Sequence, residues 1–585
     1  MNNYDLHTSS IKKTSLASSV KKFLPLLVGQ RKYITLGIVA AFLTSGLNLV
    51  APIMIGHTVD NSIQKGDYNG VLTSSLIILA IYICAVITSY FQTLIMGRVG
   101  QNVLFKLRNA IFNKLQELPV AFFNQNKAGD LISRINNDTD KLNQFFSQSL
   151  VQFVANTFSI LGAAIFLLTI NWGVGLVAVA PAIFLLIFTQ SISAWIKRKN
   201  AASLKNVGGM SAEVSESIDN FKVVVAFNRR DYFREKFAEV NDANYKTAIG
   251  AGIANNTLTP TYGLASNIAQ ISVISFGLSL ISSGNFSLGV LISFLSYVGR
   301  MYDPLRQMAA LWASFQTAFA SWDRIHSILM LNSDLEITTD VTSSSPNYVL
   351  EFKNVSFSYP NGKEVLHHIN LAFERGKKYA LVGPTGGGKT TTASLIARLY
   401  DPTKGTVFLG GSDIRSYEAS VRAKKIGFIL QEPFLFTGTV RDNIIYGNEE
   451  YEKLSNDQLE KVISEHGLES LLTRFDGKLA ATVTATGNAL SLGQKQLIAF
   501  IRAVLRCPEL IILDEATANI DTVTEQILEE ILKKLPKETT LVVIAHRLNT
   551  IENADEIYFV NSGEVIQAGS MQHAVDMLLH GKRNS

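Results

Sequence analysis

A glycine-rich segment that ends in a lysine and a threonine has the clearest chemical meaning of any stretch in this chain. The segment reads Gly383-Pro384-Thr385-Gly386-Gly387-Gly388-Lys389-Thr390. Its glycines allow backbone N–H groups to converge on phosphate oxygens, the Lys389 ammonium suits the β- and γ-phosphates, and the Thr390 hydroxyl is a hard ligand for Mg²⁺. An apolar, strand-like run precedes the segment, and the helix expected after it favours anions at its N-terminus. We therefore predict a nucleoside-triphosphate site; a glycine-rich turn without a ligand is the alternative.

Two adjacent carboxylates follow a second apolar run. Residues 510–513 have the length and composition of a buried strand, and Asp514 and Glu515 come directly after them. In a parallel sheet the carboxyl end of such a strand opens onto the bound nucleotide. Asp514 suits the Mg²⁺ shell, and Glu515 suits the polarisation of an attacking water. Since many strands end in acidic residues, an ordinary strand end is the alternative interpretation.

Four further short motifs occur in the same part of the chain. They are Phe357-Ser358-Tyr359-Pro360, Ile429-Leu430-Gln431-Glu432-Pro433, Leu490-Ser491-Leu492-Gly493-Gln494-Lys495-Gln496 and Ile544-Ala545-His546. Together with the glycine-rich segment and the paired carboxylates, and in this order, they resemble the motifs of the nucleotide-binding domain of an ATP-binding cassette (ABC) protein. The resemblance implies an α/β P-loop domain that binds ATP with Mg²⁺.

The resemblance also implies a role for each motif. Its nucleotide contacts would be the adenine-stacking Tyr359, the Walker A residues Gly383, Pro384, Thr385, Gly386, Gly387, Gly388, Lys389, Thr390 and Thr391, the signature residues Ser491, Gly493 and Gln494, and the D-loop Asp521. Its Mg²⁺ ligands would be Thr390, Gln431 and Asp514, and its residues for hydrolysis would be Lys389, Gln431, the general base Glu515 and the switch histidine His546. Taken singly, each of these residues also has an ordinary structural interpretation. Tyr359 could pack against a strand, Gln431 could be a polar loop residue, and His546 could be a hydrogen-bonded histidine at a strand end.

The first half of the chain is too apolar for an ordinary soluble domain. Over 585 residues the chain is 47% hydrophobic and only 17% charged. Segments long enough to cross roughly 30 Å of hydrocarbon begin near Tyr33, Val71, Leu150, Trp172, Tyr262 and Leu288. We therefore predict six transmembrane helices. Buried core helices of a large soluble domain are the alternative.

The positions of lysine and arginine predict the orientation of these spans. Basic residues are concentrated before the first span, between the second and third spans, and between the fourth and fifth, whereas the opposite loops are short and carry little beyond Lys65. By the positive-inside rule, both termini are cytoplasmic. The same asymmetry explains the net charge of +5, so the charge indicates no nucleic-acid partner. We expect a multi-pass protein of a bacterial plasma membrane.

Several segments of the membrane half resemble parts of ABC exporters. Residues 119–124 with 129–138 resemble a first coupling-helix region, and residues 216–218 with 225–228 a second, with solvated helix surface as the alternative. Residues 20–27 have the mixed character of an interfacial elbow helix rather than of a cleavable signal peptide. The predicted organisation is thus a transmembrane domain over residues 1–330 with long cytoplasmic helix extensions, a linker over 331–347 and a nucleotide-binding domain over 348–585.

Two motifs depart from the pattern of the family. The usual signature L-S-G-G-Q has a leucine, Leu492, at its first glycine position, and the segment before it reads Val483-Thr484-Ala485-Thr486-Gly487 without the expected acidic residue. In this family one chain's Walker motifs pair with the other chain's signature, so one copy of this chain is half of a transporter. A complete Walker face beside a weakened signature face is similar to one member of a heterodimeric exporter. A homodimer is the alternative.

The resemblance implies ATP-driven export by alternating access. The spans carry few charges apart from Arg300, which favours hydrophobic or amphipathic cargo of the drug, lipid or peptide type. A homodimeric lipid flippase or peptide exporter is one alternative, and an ATP-gated channel or membrane regulator is another. A soluble cassette ATPase is disfavoured by the predicted spans. The two cysteines, Cys84 and Cys507, are too few and too far apart in sequence for a disulfide framework or a zinc site.

Overall fold

Two compact units make up the chain. A computed structural model describes residues 4–6, 28–338, 343–360, 362–484, 490–514, 522–544, 552–569 and 571–580. Contacts divide it into a helical unit, formed by residues 10–115 and 129–330, and a mixed α/β unit, formed by residues 1–9, 116–128 and 331–585. The predicted elbow helix at residues 20–27 lies outside the described residues.

The helical unit is built from very long helices joined by short turns. Its helices are α1 (Arg31–Thr58), α2 (Tyr68–Glu117), α4 (Ala128–Ser133), α5 (Thr139–Gln144), α6 (Leu150–Ile170), α7 (Trp172–Asp219), α8 (Phe221–Ala226), α9 (Arg230–Asn256), α10 (Leu258–Ser282) and α11 (Leu288–Leu329). Helix α3 (Val120–Gln125) belongs to the α/β unit. Single π-helical turns continue or connect them at Val59–Ile63, Arg134–Asp138 and Phe145–Ser149. At 1.5 Å per residue, helices of 42 to 50 residues exceed the thickness of the bilayer.

Five helical segments among the described residues are long and apolar enough to cross a membrane, against the six predicted. They are Arg31–Ile63, Tyr68–Glu117, Ala128–Ile170, Trp172–Asp219 and Arg230–Ser282. The predicted sixth span lies in α11, where Arg300 and Asp303 interrupt the apolar stretch and lower its mean hydropathy. The sixth span therefore remains a prediction.

Side chains set where the helices of this unit begin. The Asn171 side chain accepts a hydrogen bond from the Val174 amide at 3.1 Å and starts α7 directly after α6. The Ser287 hydroxyl accepts one from the Val290 amide at 3.2 Å and starts α11. Such N-caps satisfy amides that the first helical turn leaves without a partner. The turns between successive helices can therefore stay short.

The α/β unit has two main sheets. Its strands are β1 (Tyr348–Ser358), β2 (Glu364–Glu374), β3 (Lys378–Val382), β4 (Lys404–Leu409), β5 (Ser412–Asp413), β6 (Ile426–Ile429), β7 (Gly438–Thr439), β8 (Thr482–Val483), β9 (Leu510–Asp514), β10 (Thr540–Ile544), β11 (Glu556–Asn561) and β12 (Glu564–Gln567). An antiparallel sheet has the order β2-β1-β4-β5, and a second sheet has the order β12-β11-β3-β10-β9-β6. Strands β11, β3, β10, β9 and β6 are parallel neighbours, and burial on both faces explains why β3 and β9 read as continuous apolar runs.

Helices cover these sheets and carry the motifs. They are α3 (Val120–Gln125), α12 (Lys389–Ile396), α13 (Ala419–Lys425), α14 (Val440–Ile445), α15 (Asn456–Glu465), α16 (Glu469–Leu472), α17 (Leu492–Val504), α18 (Thr522–Lys534) and α19 (Met571–His580). Helix α17 packs its buried face into an apolar cluster with α14, α15 and β9. Helix α3 comes from the first predicted coupling region, and its contacts place it in this unit. The predicted fold class, a helical membrane domain plus an α/β cassette, is confirmed.

Candidate functional site

The glycine-rich loop lies between β3 and α12, at the carboxyl edge of the parallel sheet. Gly383, Gly386 and Gly388 have φ values of +147°, +81° and +115°, which L side chains rarely adopt. A Cβ atom on Gly383 would come within 2.0 Å of the Val560 carbonyl oxygen. The loop therefore needs glycine both for its backbone conformation and for its close approach to β11, as a phosphate-cradling loop requires.

Lys389 begins α12 and lies within the curve of this loop. Its residue is only 6% exposed, and its ammonium group donates to the Gly383 and Pro384 carbonyls at 2.8 and 3.1 Å. These contacts hold the charge at the N-terminus of α12, where the helix dipole also favours an anion. Thr390, the next residue, is exposed, so its hydroxyl is accessible to a ligand.

Asp514 ends β9 at the same edge of the sheet. Strand β10 lies between β3 and β9, and its last residue, Ile544, is level with Leu381 on one side and Asp514 on the other. The glycine-rich loop and Asp514 therefore leave the sheet two strands apart and on the same side. Glu515, Asp521 and His546 lie outside the described residues, although β9 and β10 lead directly to Glu515 and His546.

Tyr359 lies beside the helix that follows the loop. Its hydroxyl is 3.1 Å from the Thr391 hydroxyl, and its ring meets that of Tyr400 edge to face, with centroids 5.3 Å apart. Thr391 is 7% exposed and Tyr359 is half-buried. The structure thus brings the predicted adenine-stacking residue to α12, where its contacts with Thr391 and Tyr400 account for its position.

Tyr400 connects this aromatic pair to α3. The Asn124 side-chain amide donates to the Tyr400 hydroxyl at 2.7 Å. Burial raises the pKa of Tyr400, so the hydroxyl stays neutral and can accept this bond. Tyr359, the residue predicted to touch adenine, is therefore linked through the side chain of Tyr400 to Asn124 of the first predicted coupling helix.

An N-terminal segment, residues 4–6, anchors the same helix. Tyr4 is 1% exposed, and its ring packs edge to face on Phe122 with centroids 6.3 Å apart. The Tyr4 hydroxyl donates to the Asn332 carbonyl at 3.0 Å and accepts from the Asp334 amide at 2.9 Å. The Asn126 side chain pairs with the backbone of the segment, donating to the Tyr4 carbonyl at 2.9 Å and accepting from the Leu6 amide at 3.2 Å. Helix α3 is thereby joined to the segment that precedes the cassette.

Gln431 follows β6 and is exposed. Its carbonyl accepts a hydrogen bond from the side-chain amide of Gln496 at 3.3 Å. Because Gln496 belongs to α17, the predicted Q-loop is connected to the helix that begins in the signature motif. The side chain of Gln431 is exposed, and its ligand-binding roles stay predictions.

The signature motif begins α17 in spite of its unusual leucine. The Ser491 hydroxyl accepts from the Gln494 amide at 3.2 Å, and the Gln494 side chain accepts from the Ser491 amide at 3.0 Å, which forms a capping box. Leu492 is the first helical residue and is half-buried, whereas Gly493 is buried. Leu492 therefore preserves the helix start. Residues 485–489 before it lie outside the described residues.

The residues of this edge fit a magnesium nucleotide. A strained glycine loop, a lysine at a helix N-terminus and an accessible threonine hydroxyl suit the phosphates and a hard cation. A carboxylate, Asp514, leaves the sheet on the same side. The sequence predicted all of these residues but not Tyr400 or Tyr4. The aromatic residue a few positions after α12 was a weak signal for Tyr400, and no local pattern marked Tyr4.

Comparison with protein families gives two matches to this chain. Residues 34–305 match the model for the ABC transporter transmembrane region. Residues 366–518 match the family model for ABC transporter. The two matches lie in the order expected for a half-transporter.

Individual relatives match over nearly their whole length. An uncharacterised ABC transporter ATP-binding protein of Bacillus subtilis is 32% identical over 89% of this chain and 86% of its own. A multidrug resistance ABC transporter ATP-binding and permease protein of Lactococcus lactis is 28% identical over 95% of this chain and 94% of its own length. A fatty acid ABC transporter ATP-binding/permease protein of Mycobacterium bovis is 29% identical over 91% and 84%.

Proposed function

The chain belongs to the ABC transporters, and from that premise we propose that it is one half of an exporter that moves hydrophobic or amphipathic compounds out of the cell. The family binds ATP and couples its hydrolysis to transport. The observation that carries the proposal is the shared edge of the parallel sheet, where the glycine-rich loop and Asp514 leave strands β3 and β9, on either side of β10, in the same direction. This edge is joined to α3 through Tyr400.

Each predicted site residue has a part in the proposed cycle. Lys389 and the loop amides would hold the phosphates, and Thr390, Asp514 and Gln431 would hold Mg²⁺, whose charge would offset that of the transferring phosphoryl group. Glu515 orients the attacking water. His546 and the D-loop Asp521 complete the closed site, and Tyr359 stacks on adenine.

A second subunit is needed to close each ATP site. Ser491, Gly493 and Gln494 would face the γ-phosphate on the opposite chain. Ser491 and Gln494 are already held by their capping box, so the motif is presented as a preformed helix N-terminus. A lone chain has one Walker face and one signature face, and these do not meet within it.

The second predicted coupling region also supports a partner subunit. Helix α8 exposes apolar side chains, with Phe221 and Val223 each 55% exposed and Phe227, just beyond the helix, 75% exposed. Beside them Phe233 and Arg234 of α9 line an open groove of about 430 Å³. Exposed apolar patches of this kind mark protein contacts. We assign this groove to the cassette of the partner chain.

The partner is proposed to be a different chain. Leu492 places a branched side chain where the family has glycine, at the N-terminus that would face the partner's phosphate. The Walker face of this chain keeps every residue of its motif. We infer a heterodimer in which the site closed by this signature mainly holds ATP, whereas the site that combines this Walker face with the partner's signature hydrolyses it.

The cargo and location follow from the same features. The names of two relatives refer to multidrug resistance and to fatty acids, which agrees with amphipathic cargo. The Lys and Arg asymmetry supports cytoplasmic termini, and the proposed location is a bacterial plasma membrane. Binding of ATP closes the cassettes and turns the cavity outward, because the closed state binds ATP more tightly.

The test is the Mg²⁺-dependent ATPase activity of this chain purified alone in lipid, beside the complex purified with its native partner. Glu515→Gln is the control for authentic hydrolysis. We expect rapid hydrolysis by the complex, its loss in Glu515→Gln, and little hydrolysis by the chain alone although it binds ATP. Rapid hydrolysis by the chain alone, abolished by Glu515→Gln, would contradict the heterodimer and indicate a homodimer. No hydrolysis by the native complex would contradict the proposed function.

A further inference from the structure

Helix α11 has one packed face and one open polar face in its first half. The packed face consists of residues at most 2% exposed: Phe294, Tyr297, Val298, Met301 and Tyr302. The Tyr297 and Tyr302 hydroxyls donate to carbonyls of α1 and α7, the latter at 3.0 Å. The open face carries polar residues that are half-buried or exposed: Arg300, Asp303, Arg306 and Gln307. The polar face therefore points away from the core of the helical unit.

Arg300 lies in the second, cytoplasmic half of the predicted span. It is 12 residues after Leu288, where α11 begins, which corresponds to about 18 Å along the helix axis. Tyr82 is 14 residues after the start of α2 at Tyr68, or about 21 Å along its own axis. Both distances are slightly more than half the thickness of a hydrocarbon core of about 30 Å. The family match for the transmembrane region, residues 34–305, includes Arg300.

No described carboxylate lies within ion-pair distance of Arg300. Its side chain donates to the Tyr82 hydroxyl at 3.5 Å, a weak contact, and Asp303 on the next turn forms no ion pair with it among the described residues. Arg324, farther along the same helix, shows the contrast, since its guanidinium binds both oxygens of the buried Asp138. A charged side chain at membrane depth is costly and marks a functional site.

The surroundings of Arg300 are polar, and in the described part of the chain they carry no charge that neutralises it. The Ser159 hydroxyl of α6 donates to the Arg300 carbonyl at 3.2 Å, which fixes the backbone. One helical turn away from Ser159, the Asn156 side chain donates to Gln307 at 3.3 Å. Helices α2 and α11 thus contribute a phenol and a guanidinium at similar depth, and the amide pair of Asn156 and Gln307 lies about 10 Å farther along α11. A guanidinium with free N–H donors matches the geometry of a carboxylate or phosphate.

We propose that Arg300 is the charge-recognition residue of the transport site, and that the cargo is an anionic amphiphile with an apolar chain and a carboxylate or phosphate head. This inference rests on the proposed export function and narrows its substrate class. The head pairs with Arg300 and accepts from the Tyr82 hydroxyl, while the apolar chain remains at the hydrocarbon depth of the span. The bound anion supplies the counter-charge that the described residues do not provide.

The experiment measures stimulation of the ATPase activity of the native complex in lipid nanodiscs by three probes. Oleate and oleylamine share one chain length and differ in the sign of the head group, and lysophosphatidic acid separates a phosphate from a carboxylate head. The variants are Arg300→Gln and Arg300→Lys, with Arg306→Gln as the matched loss of one charge on the same face. Unstimulated hydrolysis is recorded for each preparation.

The expected result is stimulation by oleate or lysophosphatidic acid at lower concentration than by oleylamine. Arg300→Gln raises the half-stimulating concentration of the effective anion about 10-fold or more. Arg300→Lys raises this concentration less, and Arg306→Gln leaves it unchanged. Equal action of oleate and oleylamine, or an Arg300→Gln variant that responds like the parent, overturns the proposal while hydrolysis still supports the export function. If a carboxylate of the partner subunit neutralises Arg300, these same results are expected, and the proposal is overturned. Absence of hydrolysis in the unaltered complex instead refutes the export function itself.

Discussion

Tyr4 is predicted to hold the first coupling helix in place. Replacing it by phenylalanine keeps the ring against Phe122 but removes the two hydrogen bonds of the hydroxyl, at 3.0 Å to the Asn332 carbonyl and 2.9 Å from the Asp334 amide. Buried polar groups that lose a partner cost about 1–3 kcal/mol. Tyr4→Ala also removes a ring that is 1% exposed, and deletion of a buried aromatic side chain costs about 3–5 kcal/mol.

Hydrogen–deuterium exchange read by mass spectrometry tests this prediction. Peptides that cover α3 and residues 331–338 report local opening, whose rate rises about tenfold for each 1.4 kcal/mol lost. We therefore expect a rise of about 5- to 100-fold for Tyr4→Phe and a larger rise for Tyr4→Ala. The control is Tyr245→Ala, because Tyr245 is 63% exposed.

The reasoning fails if the exchange of α3 is unchanged in Tyr4→Ala. It also fails if Tyr4→Ala increases exchange equally throughout the α/β unit, since a global loss of stability would not identify a local anchor. A local rise confined to α3 and residues 331–338 is the result that the contacts predict.

Three further substitutions test other contacts. Asp138→Asn removes the charge of a carboxylate that is 3% exposed, while its partner Arg324 is 37% exposed, so it destabilises the helical unit by about 1–3 kcal/mol, measured as a lower thermal unfolding midpoint in lipid. Tyr400→Phe removes the 2.7 Å bond from Asn124 and raises hydrogen exchange of α3 about fivefold, for about 1 kcal/mol lost. Leu492→Gly restores the glycine of the family motif and raises the ATPase activity of the chain purified alone.

Each of these substitutions has a comparison that makes its result decisive. Asp140→Asn removes a carboxylate that is 58% exposed, and its effect on unfolding is expected to be small; an equal effect would contradict the argument from burial. A double-mutant cycle of Tyr400→Phe with Asn124→Ala should show less than additive effects, and full additivity would refute the contact. For Leu492→Gly, the additional Glu515→Gln change should abolish the gain.

Motif order predicted the family, the fold class and the coupled ATPase activity. These predictions succeeded because a phosphate loop constrains its residues locally: Gly383 and Gly388 need a backbone that only glycine adopts easily, and Lys389 must follow them. Asp514 could be placed because apolar parallel strands end at one edge. The sixth span was predicted from the length of its apolar run. Arg300 and Asp303 lower the mean hydropathy of this run below that of the other five spans.

Contacts between distant parts of the chain were beyond sequence reasoning. Tyr4 meets Phe122 and Asn332 across more than 100 residues, and no local periodicity encodes such a contact. Tyr400 was overlooked for the same reason, since its partner Asn124 precedes it by 276 residues. The roles of all the predicted site residues remain predictions, and Glu515, Asp521 and His546 also lie outside the described part of the chain.

The central claim is that ATP hydrolysis moves a compound across the membrane. Its most direct measurement is ATP-dependent accumulation of a fluorescent fatty acid in inside-out vesicles that contain the native complex, with Glu515→Gln as the control. The account predicts that a gradient forms with ATP and Mg²⁺ and that Glu515→Gln abolishes it. Rapid ATP hydrolysis without any gradient, for this anion and for a cationic dye of similar size, would contradict export and favour an ATP-gated channel or regulator.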